Sequence, residues 1–462
     1  MTSTLGLVLD QGFGGEIIEP GHAEYGDASR SVFAAGSPMF VLRPRNVEDV
    51  RAAVRFTASA GLELSVRGGG HGFPGFGTND GGVVLDLRRL AGVEVVDVAR
   101  RLVRVGGGAT WGQVANALSE HCLGISSGDT KSVGVGGLTL SGGIGWKVRK
   151  YGLALDNLVG AEVVTATGDV VYTAADDHPD LFWGPRGGGG NLGIVTAFEF
   201  IAHHTTDVFH GKVTFPAAQT DEVLRGWAEY LRSATEDLTS LVALANPMTG
   251  GPLAPVEVHV AFDGDDHGRA EEAFAPIRRL GTVLDDDISL KPYADTLVEG
   301  AVAPPGLVFD SRNAFVDQAS VPDVLWALAE VSTSGGTPVV GLRSIGGAVA
   351  RVPDDATAYS HRQAELMVVT MNAGPESMVR AARPALDALW ARLAPHVNGA
   401  YANFLTGSTD ADVAAVYPAE TRERLARVKQ RYDPENLFSG NHNIRPATTQ
   451  AASSTPSEGG SR

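Results

Sequence analysis

The sequence is short of cysteine and of positive charge, and each shortage excludes a class of protein. Its 462 residues include one cysteine, Cys122, so an intrachain disulfide and a cysteine-based zinc site are both excluded. Only 37 Lys and Arg residues stand against 54 Asp and Glu residues, which gives a net charge of -17. This charge argues against nucleic acid and anionic membrane surfaces as partners, although it says little about a small substrate.

Long hydrophobic runs are also missing. No apolar stretch approaches the roughly 20 residues that cross a bilayer, and the N-terminus lacks the basic region and apolar core of a secretory signal. We therefore expect a cytoplasmic protein without a membrane partner. The tandem His203 and His204 have no further ligands at metal spacing, so no metal site is expected. Residues 447–462 are mostly Ser, Thr, Gly and Pro, which predicts a disordered tail.

Glycine is abundant instead, and it falls in three clusters. The 58 glycines exceed the share of about 7% that is usual. The first cluster, R-G-G-G-H-G at residues 67–72, follows a strand pattern at 62–66. The second is V-G-V-G-G-L-T-L-S-G-G-I-G-W at 133–146, and the third, R-G-G-G-G-N-L-G at 186–193, leads into an apolar strand.

These clusters indicate a bound ligand. Glycine lets the backbone approach a ligand closely, and its bare N–H groups can form an anion-binding nest. The second cluster is too rich in glycine for a helix or central strand, because each glycine costs about 0.5–1 kcal/mol there. Any one cluster is equally explained by a mobile loop or by tight turns, but three together favour one large, flat, phosphate-bearing ligand beside His71.

The remaining patterns predict two α+β units. Helices and short strands are mixed up to about residue 201, with a helix that Asn46 caps and Gly61 ends, and a hairpin around residues 167–169. Thr110 and Gln113 have capping-box spacing. No G-x-G-x-x-G motif opens a helix after a first strand, which disfavours a Rossmann fold. Beyond residue 202, helical patterns at 221–232, 323–331 and 376–393 lie among strand-like runs at 256–262 and 339–344, and a last helix is predicted at 421–432.

Taken with further motifs, the clusters resemble those of the berberine-bridge-enzyme-like flavoprotein oxidases of the vanillyl-alcohol-oxidase superfamily. The further motifs are R-K-Y-G-L-A-L-D-N at 149–157, D-L-F-W-G-P at 180–185, Y-D-P-E-N-L-F at 432–438 and N-H-N-I at 441–444. The resemblance extends from roughly residue 36 to 446. It implies an α+β fold: a two-part PCMH-type FAD-binding domain (1–204), a substrate domain with an antiparallel sheet flanked by helices (205–399), and a C-terminal segment (400–446) that returns to the FAD domain.

The resemblance also implies FAD as the cofactor, attached through His71 to the flavin 8α-methyl group. Relatives with a second covalent link use a cysteine where this chain has Thr130, so a single link is predicted. Val133 takes the position that influences access of dioxygen, and a small valine there resembles the oxidases. The other cofactor-binding residues that we expect are Arg67, Gly68, Gly69, Gly70, Gly72, Gly134, Gly137, Leu138, Gly142, Gly143, Gly145, Asn157, Gly193, Val195, Asn441 and Asn443.

Tyr401 is the first candidate for a catalytic base, because relatives with a Y-x-N motif place that tyrosine in the pocket. Its ordinary pKa of about 10 is too high for a base at pH 7 unless a neighbour lowers it, so a hydroxyl that only orients the substrate is an equal alternative. The glutamate of plant-type relatives falls near Thr370 and is absent. Tyr359, His361 and Arg343 are expected at the solvated surface, with a place facing the pocket as the alternative for each.

The function that this implies is an FAD-dependent oxidase acting on a small organic substrate, in secondary metabolism. It removes a hydride from a C–H next to oxygen or nitrogen, or drives an oxidative cyclisation, and passes the electrons to dioxygen to give hydrogen peroxide. Two alternatives remain open: a dehydrogenase that uses another acceptor, and a flavin-binding protein without turnover. Either a monomer or a homodimer is compatible with the sequence.

Overall fold

A computed structural model describes residues 12–244, 254–300, 304, 306–332 and 338–448. The N-terminal part begins with a four-stranded sheet in the order β1-β2-β4-β3. Its strands are β1 (Glu16–Ile18), β2 (Phe40–Arg43), β3 (Leu64–Arg67) and β4 (Val83–Asp86), and β4 pairs in parallel with β2 on one side and β3 on the other. The first glycine cluster therefore starts at the carboxyl end of β3.

Helix α2 (Val47–Ala60) makes the crossover between β2 and β3, and its ends are those predicted. The Asn46 side chain accepts a hydrogen bond from the backbone N–H of Asp49, and Gly61 ends the helix with φ of 62°. The capping box of Thr110 and Gln113 is likewise present at the start of α3 (Trp111–Ser119). Local capping chemistry thus fixed both helix starts.

A second, antiparallel sheet has the order β5-β6-β10-β8-β9. Its strands are Val93–Asp97, Leu102–Gly106, Ile194–Ile201, Leu158–Val164 and Val170–Ala174 in that order. The predicted hairpin joins β8 and β9 at Gly168, which has φ of 77°. The short β7 (Leu123–Gly124) and β11 (His203–His204) pair separately. The third glycine cluster lies immediately before β10.

One sequence prediction about the second cluster is wrong, because a helix, α4 (Val135–Ser141), forms inside it. Val135 and Thr139 are fully buried and anchor one side of the helix. A Cβ on Gly136 would lie 3.1 Å from the carbonyl oxygen of Gly107, whereas a Cβ on Gly137 would meet nothing within 4 Å. Gly136 therefore allows close packing against the backbone, and Gly137 faces open space. The free energy gained by burying the rest of the helix offsets the poor helix propensity of both glycines.

The C-terminal half is built on one antiparallel sheet, which confirms the predicted α+β class. Seven strands follow the order β15-β12-β14-β13-β18-β19-β17, and β16 also pairs with β12. In chain order these are Val208–Phe215 (β12), Leu238–Leu244 (β13), Val256–Phe262 (β14), Asp285–Asp286 (β15), Ser289–Lys291 (β16), Leu307–Val316 (β17), Val339–Ser344 (β18) and Leu366–Pro375 (β19). Alternate residues of the central strands share one hydrophobic core with helices, as a half-buried sheet requires.

The described residues form nine further α-helices. They are α1 (Tyr25–Ala28), α5 (Val148–Tyr151), α6 (Pro179–Trp183), α7 (Thr220–Leu231), α8 (His267–Arg278), α9 (Val321–Ser332), α10 (Glu376–Leu393), α11 (Asp410–Val416) and α12 (Ala419–Tyr432). Helices α7 to α10 cover one face of the large sheet. Among the described residues, no helix has both the length and the apolar character needed to span a bilayer.

The chain after α12 lies against the third glycine cluster. The Asn191 side-chain amide donates to the carbonyl oxygen of His442 (3.1 Å), and its oxygen accepts from the backbone N–H of Ile444 (2.9 Å). Of the predicted disordered tail, residues 449–462 lie outside the described residues.

Candidate active site

A cavity of about 370 Å³ lies where the three glycine clusters, the β3 end and the C-terminal residues meet. Its size is within the range of small-molecule and cofactor sites, about 300–1,000 Å³. Most of the predicted site residues line it: Arg67, Gly68, Gly69, Gly70, His71, Gly72, Val133, Gly134, Gly137, Leu138, Gly193, Val195, Tyr401 and Asn441. Gly142, Gly143, Gly145, Asn157 and Asn443 are not among the lining residues.

Three lining glycines leave room for a ligand. A Cβ built on Gly72 or Gly137 would meet nothing within 4 Å, and one on Gly190 would meet only the Asn441 amide nitrogen at 3.9 Å. Since all three line the cavity, their missing side chains are part of its volume. These positions fit the interpretation that glycine is used for close approach of a ligand to the backbone.

Other glycines serve packing within the protein. A Cβ on Gly69 would overlap the backbone nitrogen of Gly134, and one on Gly134 would overlap that of Gly69. The first and second clusters therefore touch through bare backbone. Gly145 similarly lies against the carbonyl oxygen of Ser127, and a Cβ on Gly193 would be 2.5 Å from a Val163 methyl group. These glycines are therefore required by close packing within the protein, and Gly69, Gly134 and Gly193 also line the cavity.

The guanidinium of Arg67 has a structural role. Its buried guanidinium donates to the backbone oxygens of Arg30 and Ala28, each at 2.7 Å, and to the Asp86 carboxylate at 2.9 Å. These bonds join the start of the first cluster to α1 and β4. The positive charge of Arg67 is therefore paired with Asp86 inside the protein.

His71 presents a neutral imidazole to the cavity. Burial lowers its pKa below the ordinary value, so the uncharged form dominates at neutral pH. Its Nε2 lies 2.9 Å from the Ser132 hydroxyl oxygen. This bond fixes the orientation of the ring and engages one of its two nitrogens.

An ion pair borders the cavity near Thr130. The Arg343 guanidinium donates to the Asp129 carboxylate at 2.6 Å, and the Thr130 hydroxyl donates to the other carboxylate oxygen at 3.1 Å. Burial opposes the charge of Asp129, but Arg343 and the hydrogen bonds outweigh it and lower the pKa of Asp129. Cys122 is exposed and does not line the cavity.

Tyr401 is buried and lines the same cavity as the first cluster. Its hydroxyl oxygen accepts from the backbone N–H of Gly143 (3.0 Å) and from the Asn403 amide (2.9 Å). Burial raises the pKa of Tyr401, while these two donors and the Arg343 charge act in the opposite direction. At neutral pH the group is a phenol with both lone pairs occupied, so its own proton is directed to a third partner.

The predicted asparagines have different roles. Asn441 lines the cavity, and its buried side-chain oxygen has no hydrogen-bond partner among the described residues. Asn443 instead accepts from the Lys429 ammonium (3.3 Å). Asn157 donates to the carbonyl oxygens of Tyr151 and Leu153, at 3.2 and 2.8 Å. Only Asn441 therefore has hydrogen-bonding capacity left for a ligand in the cavity.

Two expectations about surface residues are wrong. Tyr359 is 5% exposed and packs in a core with Tyr401. His361 stacks on Phe315 with ring centroids 4.8 Å apart. The region that contains them has weak hydrophobic periodicity, so their burial by the returning C-terminal segment left no local signal. Sequence reasoning also missed Ser132, Asp129 and the phenylalanines near His71, although Phe73 lies only two residues from it.

Comparison with known proteins assigns the family. A family model described as "FAD binding domain" matches residues 38–174, and one described as "Berberine and berberine like" matches 400–445. The (R)-6-hydroxynicotine oxidase of Paenarthrobacter nicotinovorans is 32% identical over 94% of this chain and 97% of its own. The chain belongs to the berberine-bridge-enzyme-like FAD-linked oxidases of the vanillyl-alcohol-oxidase superfamily. It carries an FAD-binding domain and is a flavin-dependent oxidoreductase.

Solved structures show the same fold. The crystal structure of 6-hydroxy-D-nicotine oxidase from Arthrobacter nicotinovorans has a TM-score of 0.82 and 30% identity, and it covers 94% of this chain and 98% of that one. A glucooligosaccharide oxidase from Acremonium strictum, described with a 6-S-cysteinyl, 8α-N1-histidyl FAD, has a TM-score of 0.83 and 22% identity over 96% of this chain and 100% of that one.

The cavity residues fit FAD. Gly72, Gly137 and Gly190 leave a backbone cradle that side chains would fill. The buried oxygen of Asn441 lacks a partner among the described residues. Burial lowers the pKa of His71, so its imidazole adds no positive charge to the cavity at neutral pH. A backbone cradle and an unpaired buried acceptor around one cavity suit an extended nucleotide cofactor.

Proposed function

We propose that this protein is an FAD-dependent oxidase that removes a hydride from a C–H next to oxygen or nitrogen in a small organic substrate. The electrons pass to dioxygen, which leaves as hydrogen peroxide. Oxidative cyclisation is a variant of the same chemistry, and secondary metabolism is the setting that the family resemblance favours. The observation that carries the proposal is that His71 and Tyr401 line one glycine-rich cavity.

The proposed cofactor site uses residues 1–204 together with the returning segment 400–446, and residues 205–399 cover the substrate side. The cradle glycines, the backbone at Gly68 and Gly70, and Asn441 would hold FAD, and His71 would be the point of covalent attachment at its 8α carbon. Because Nε2 is engaged by Ser132, Nδ1 would be the attached nitrogen. This assignment agrees with the N1-histidyl link named for the Acremonium strictum relative.

A single covalent link is the second part of the proposal. Thr130, the position of the second attachment in doubly linked relatives, lines the cavity, and a hydroxyl there forms no thioether. Since Cys122 is exposed and outside the lining, no thiol of the described residues is placed to replace it. Bound FAD supplies a two-electron acceptor, and the chain supplies position, hydrogen bonds and exclusion of water.

Tyr401 acts on the substrate proton in this proposal. Its hydroxyl is fixed by the Gly143 N–H and the Asn403 amide, and both donors stabilise negative charge on the oxygen. Arg343 adds to the same effect. After the phenol has lost its own proton to solvent, the third lone pair of the phenolate orients a substrate O–H or N–H and accepts its proton as the hydride leaves.

The attachment is tested by acid precipitation of the purified protein. The wild-type chain is expected to keep its yellow colour in the pellet, and His71→Ala is expected to lose it to the supernatant. Thr130→Ala is the matched control, and its pellet should stay as yellow as that of the wild type. A coloured pellet from His71→Ala, or a colourless one from Thr130→Ala, would contradict the single histidyl link.

Oxidase and dehydrogenase are separated by reoxidation. The flavin is reduced anaerobically and mixed with air-saturated buffer in a stopped-flow spectrometer. We expect rapid return of the oxidised spectrum together with stoichiometric hydrogen peroxide. Slow return in air, accelerated by an artificial acceptor, would favour the dehydrogenase. A flavin that no alcohol, amine or sugar reduces would favour a binding protein without turnover.

A further inference from the structure

Four phenylalanine rings form a continuous aromatic wall at the cavity. Phe33 and Phe73 are stacked with centroids 4.5 Å apart and an angle of 24°. Phe309 lies 4.9 Å from Phe33, edge to face, and Phe404 lies 6.4 Å from Phe73. The four residues, which we call the aromatic wall, come from four distant parts of the chain, and all four are only partly buried.

The wall extends between the two groups that define the site. The Phe33 ring meets the His71 imidazole edge to face at 6.0 Å. At the other end, the Phe404 ring meets the Tyr401 ring edge to face at 5.3 Å. Phe33, Phe73 and Phe404 line the cavity. A substrate positioned for reaction near Tyr401 therefore lies along these rings.

The aromatic wall presents only hydrocarbon surface to the cavity. Phenylalanine offers a flat apolar surface and, unlike tyrosine or tryptophan, no hydrogen-bond donor. The neighbouring charges are already matched, because Arg343 pairs with Asp129 and lies over the Phe404 ring at 5.2 Å. The four rings therefore offer no hydrogen bond, and polar side chains of the cavity lining such as Tyr401 and Asn403 must supply any that a substrate needs.

A sugar chain does not suit this surface. Each hydroxyl of an oligosaccharide gives up hydrogen bonds to water on entry, and a site that selects sugars must replace them. The wall replaces none, whereas an aromatic ring gains edge-to-face and stacked contacts with it. One polar substituent beside the reacting carbon is all that Tyr401 and Asn403 can serve.

We propose that the substrate is a ring-bearing, largely apolar small molecule, with the oxidised C–H next to a single hydroxyl or amine. The aromatic body packs on the wall, and the hydroxyl or amine reaches Tyr401. This inference rests on the proposed function and narrows its substrate class. It distinguishes this chain from relatives whose names specify oligosaccharides, which share its fold.

The test compares an aromatic probe with a sugar on the flavin-loaded enzyme. Benzyl alcohol and benzylamine are titrated anaerobically against cellobiose, and both perturbation and bleaching of the flavin absorbance are recorded. We expect saturable perturbation by at least one aromatic probe and none by cellobiose at equal concentration. Perturbation by cellobiose alone, or by no probe at all, would overturn the inference.

Substitution of Phe73 tests whether the aromatic probe binds at the aromatic wall. Phe73→Ser is expected to raise the Kd of the aromatic probe about tenfold, while Phe73→Leu, which stays apolar, changes it by about threefold or less. Trp326→Ala removes an exposed ring outside the cavity lining and is the matched control, with an unchanged Kd. An unchanged Kd in Phe73→Ser, with its flavin content intact, would also overturn the inference.

The two proposals fail separately. A purified chain that binds no flavin would refute the proposed function before any probe is added. A chain with bound flavin that cellobiose reduces would leave the oxidase proposal standing and refute only the aromatic substrate. Flavin content is therefore measured on every variant before the titrations.

Discussion

Replacing two glycines of the second cluster by alanine is predicted to affect different properties, cofactor binding at one position and folding stability at the other. A methyl group at Gly137 projects into the cavity, where no protein atom lies within 4 Å of it. A methyl group at Gly145 overlaps the carbonyl oxygen of Ser127, and backbone cannot move aside as a flexible side chain does. The first change therefore acts on cofactor binding and the second on the fold.

The magnitudes follow from these two environments. Gly137 is in α4, so alanine there improves helix propensity and stabilises the flavin-free chain by up to about 1 kcal/mol. The same methyl group overpacks the loaded cavity at a cost of about 1–3 kcal/mol, which is roughly a 5- to 150-fold weaker affinity for FAD. Gly145→Ala has no compensating gain, and we expect a loss of about 1–3 kcal/mol in the free energy of unfolding.

The assay separates the two effects in a His71→Ala background, where FAD binds reversibly. Affinity is measured by quenching of FAD fluorescence, and stability by urea unfolding of the flavin-free protein. Gly137→Ala should lower affinity without lowering stability, and Gly145→Ala should lower stability. If Gly137→Ala binds FAD with unchanged affinity, the cradle does not hold the cofactor and the reasoning fails.

Four further predictions test the site and its support. Tyr401→Phe should lower kcat/KM about 10²- to 10⁴-fold with flavin content unchanged; a change below threefold would leave Tyr401 only a packing role. Arg343→Met should move the acidic limb of the kcat/KM pH profile to higher pH, since the cation lowers the pKa of Tyr401, and Asp129→Asn should move it to lower pH; shifts in the same direction would contradict this. Ser132→Ala should slow covalent flavin incorporation without changing the final amount, as followed by acid precipitation over time. Asp433→Ala, which removes the buried partner of a buried lysine, should destabilise the chain by about 3–5 kcal/mol in urea unfolding, and a loss below about 1 kcal/mol would refute that estimate.

Sequence patterns predicted those elements whose signals are local. The cap at Asn46 and the capping box at Thr110 depend on side chains within three residues of the backbone they bind. A short segment of sequence is therefore enough to predict each helix start. The strands at Val256–Phe262 and Val339–Ser344 were likewise visible, because alternate residues face one core. Such features need no knowledge of the rest of the fold.

The helix at Val135–Ser141 shows where local reasoning stops. Propensity argued against it, since Gly136 and Gly137 are poor helix formers. Tertiary packing overrode that preference, because Gly136 lies beneath the Gly107 carbonyl and Val135 is completely buried. Neither contact is visible from the sequence, since both depend on segments that are about 30 residues away or that meet only in the folded core.

The Tyr401 site shows the same limit for function. Its hydroxyl accepts from Gly143, 258 residues earlier in the chain, and its backbone N–H donates to the Asn313 side chain on β17, 88 residues away. The Y-x-N motif therefore revealed the residue but not its environment, which three parts of the chain supply jointly. A tyrosine fixed on both sides in this way cannot swing toward the substrate, so substrate must come to it. The large antiparallel sheet provides Asn313, Arg343 and Phe309, and it holds the Tyr401 backbone through Asn313. If the proposed function is right, variation on that face of the sheet is expected to change substrate choice before it changes the flavin chemistry.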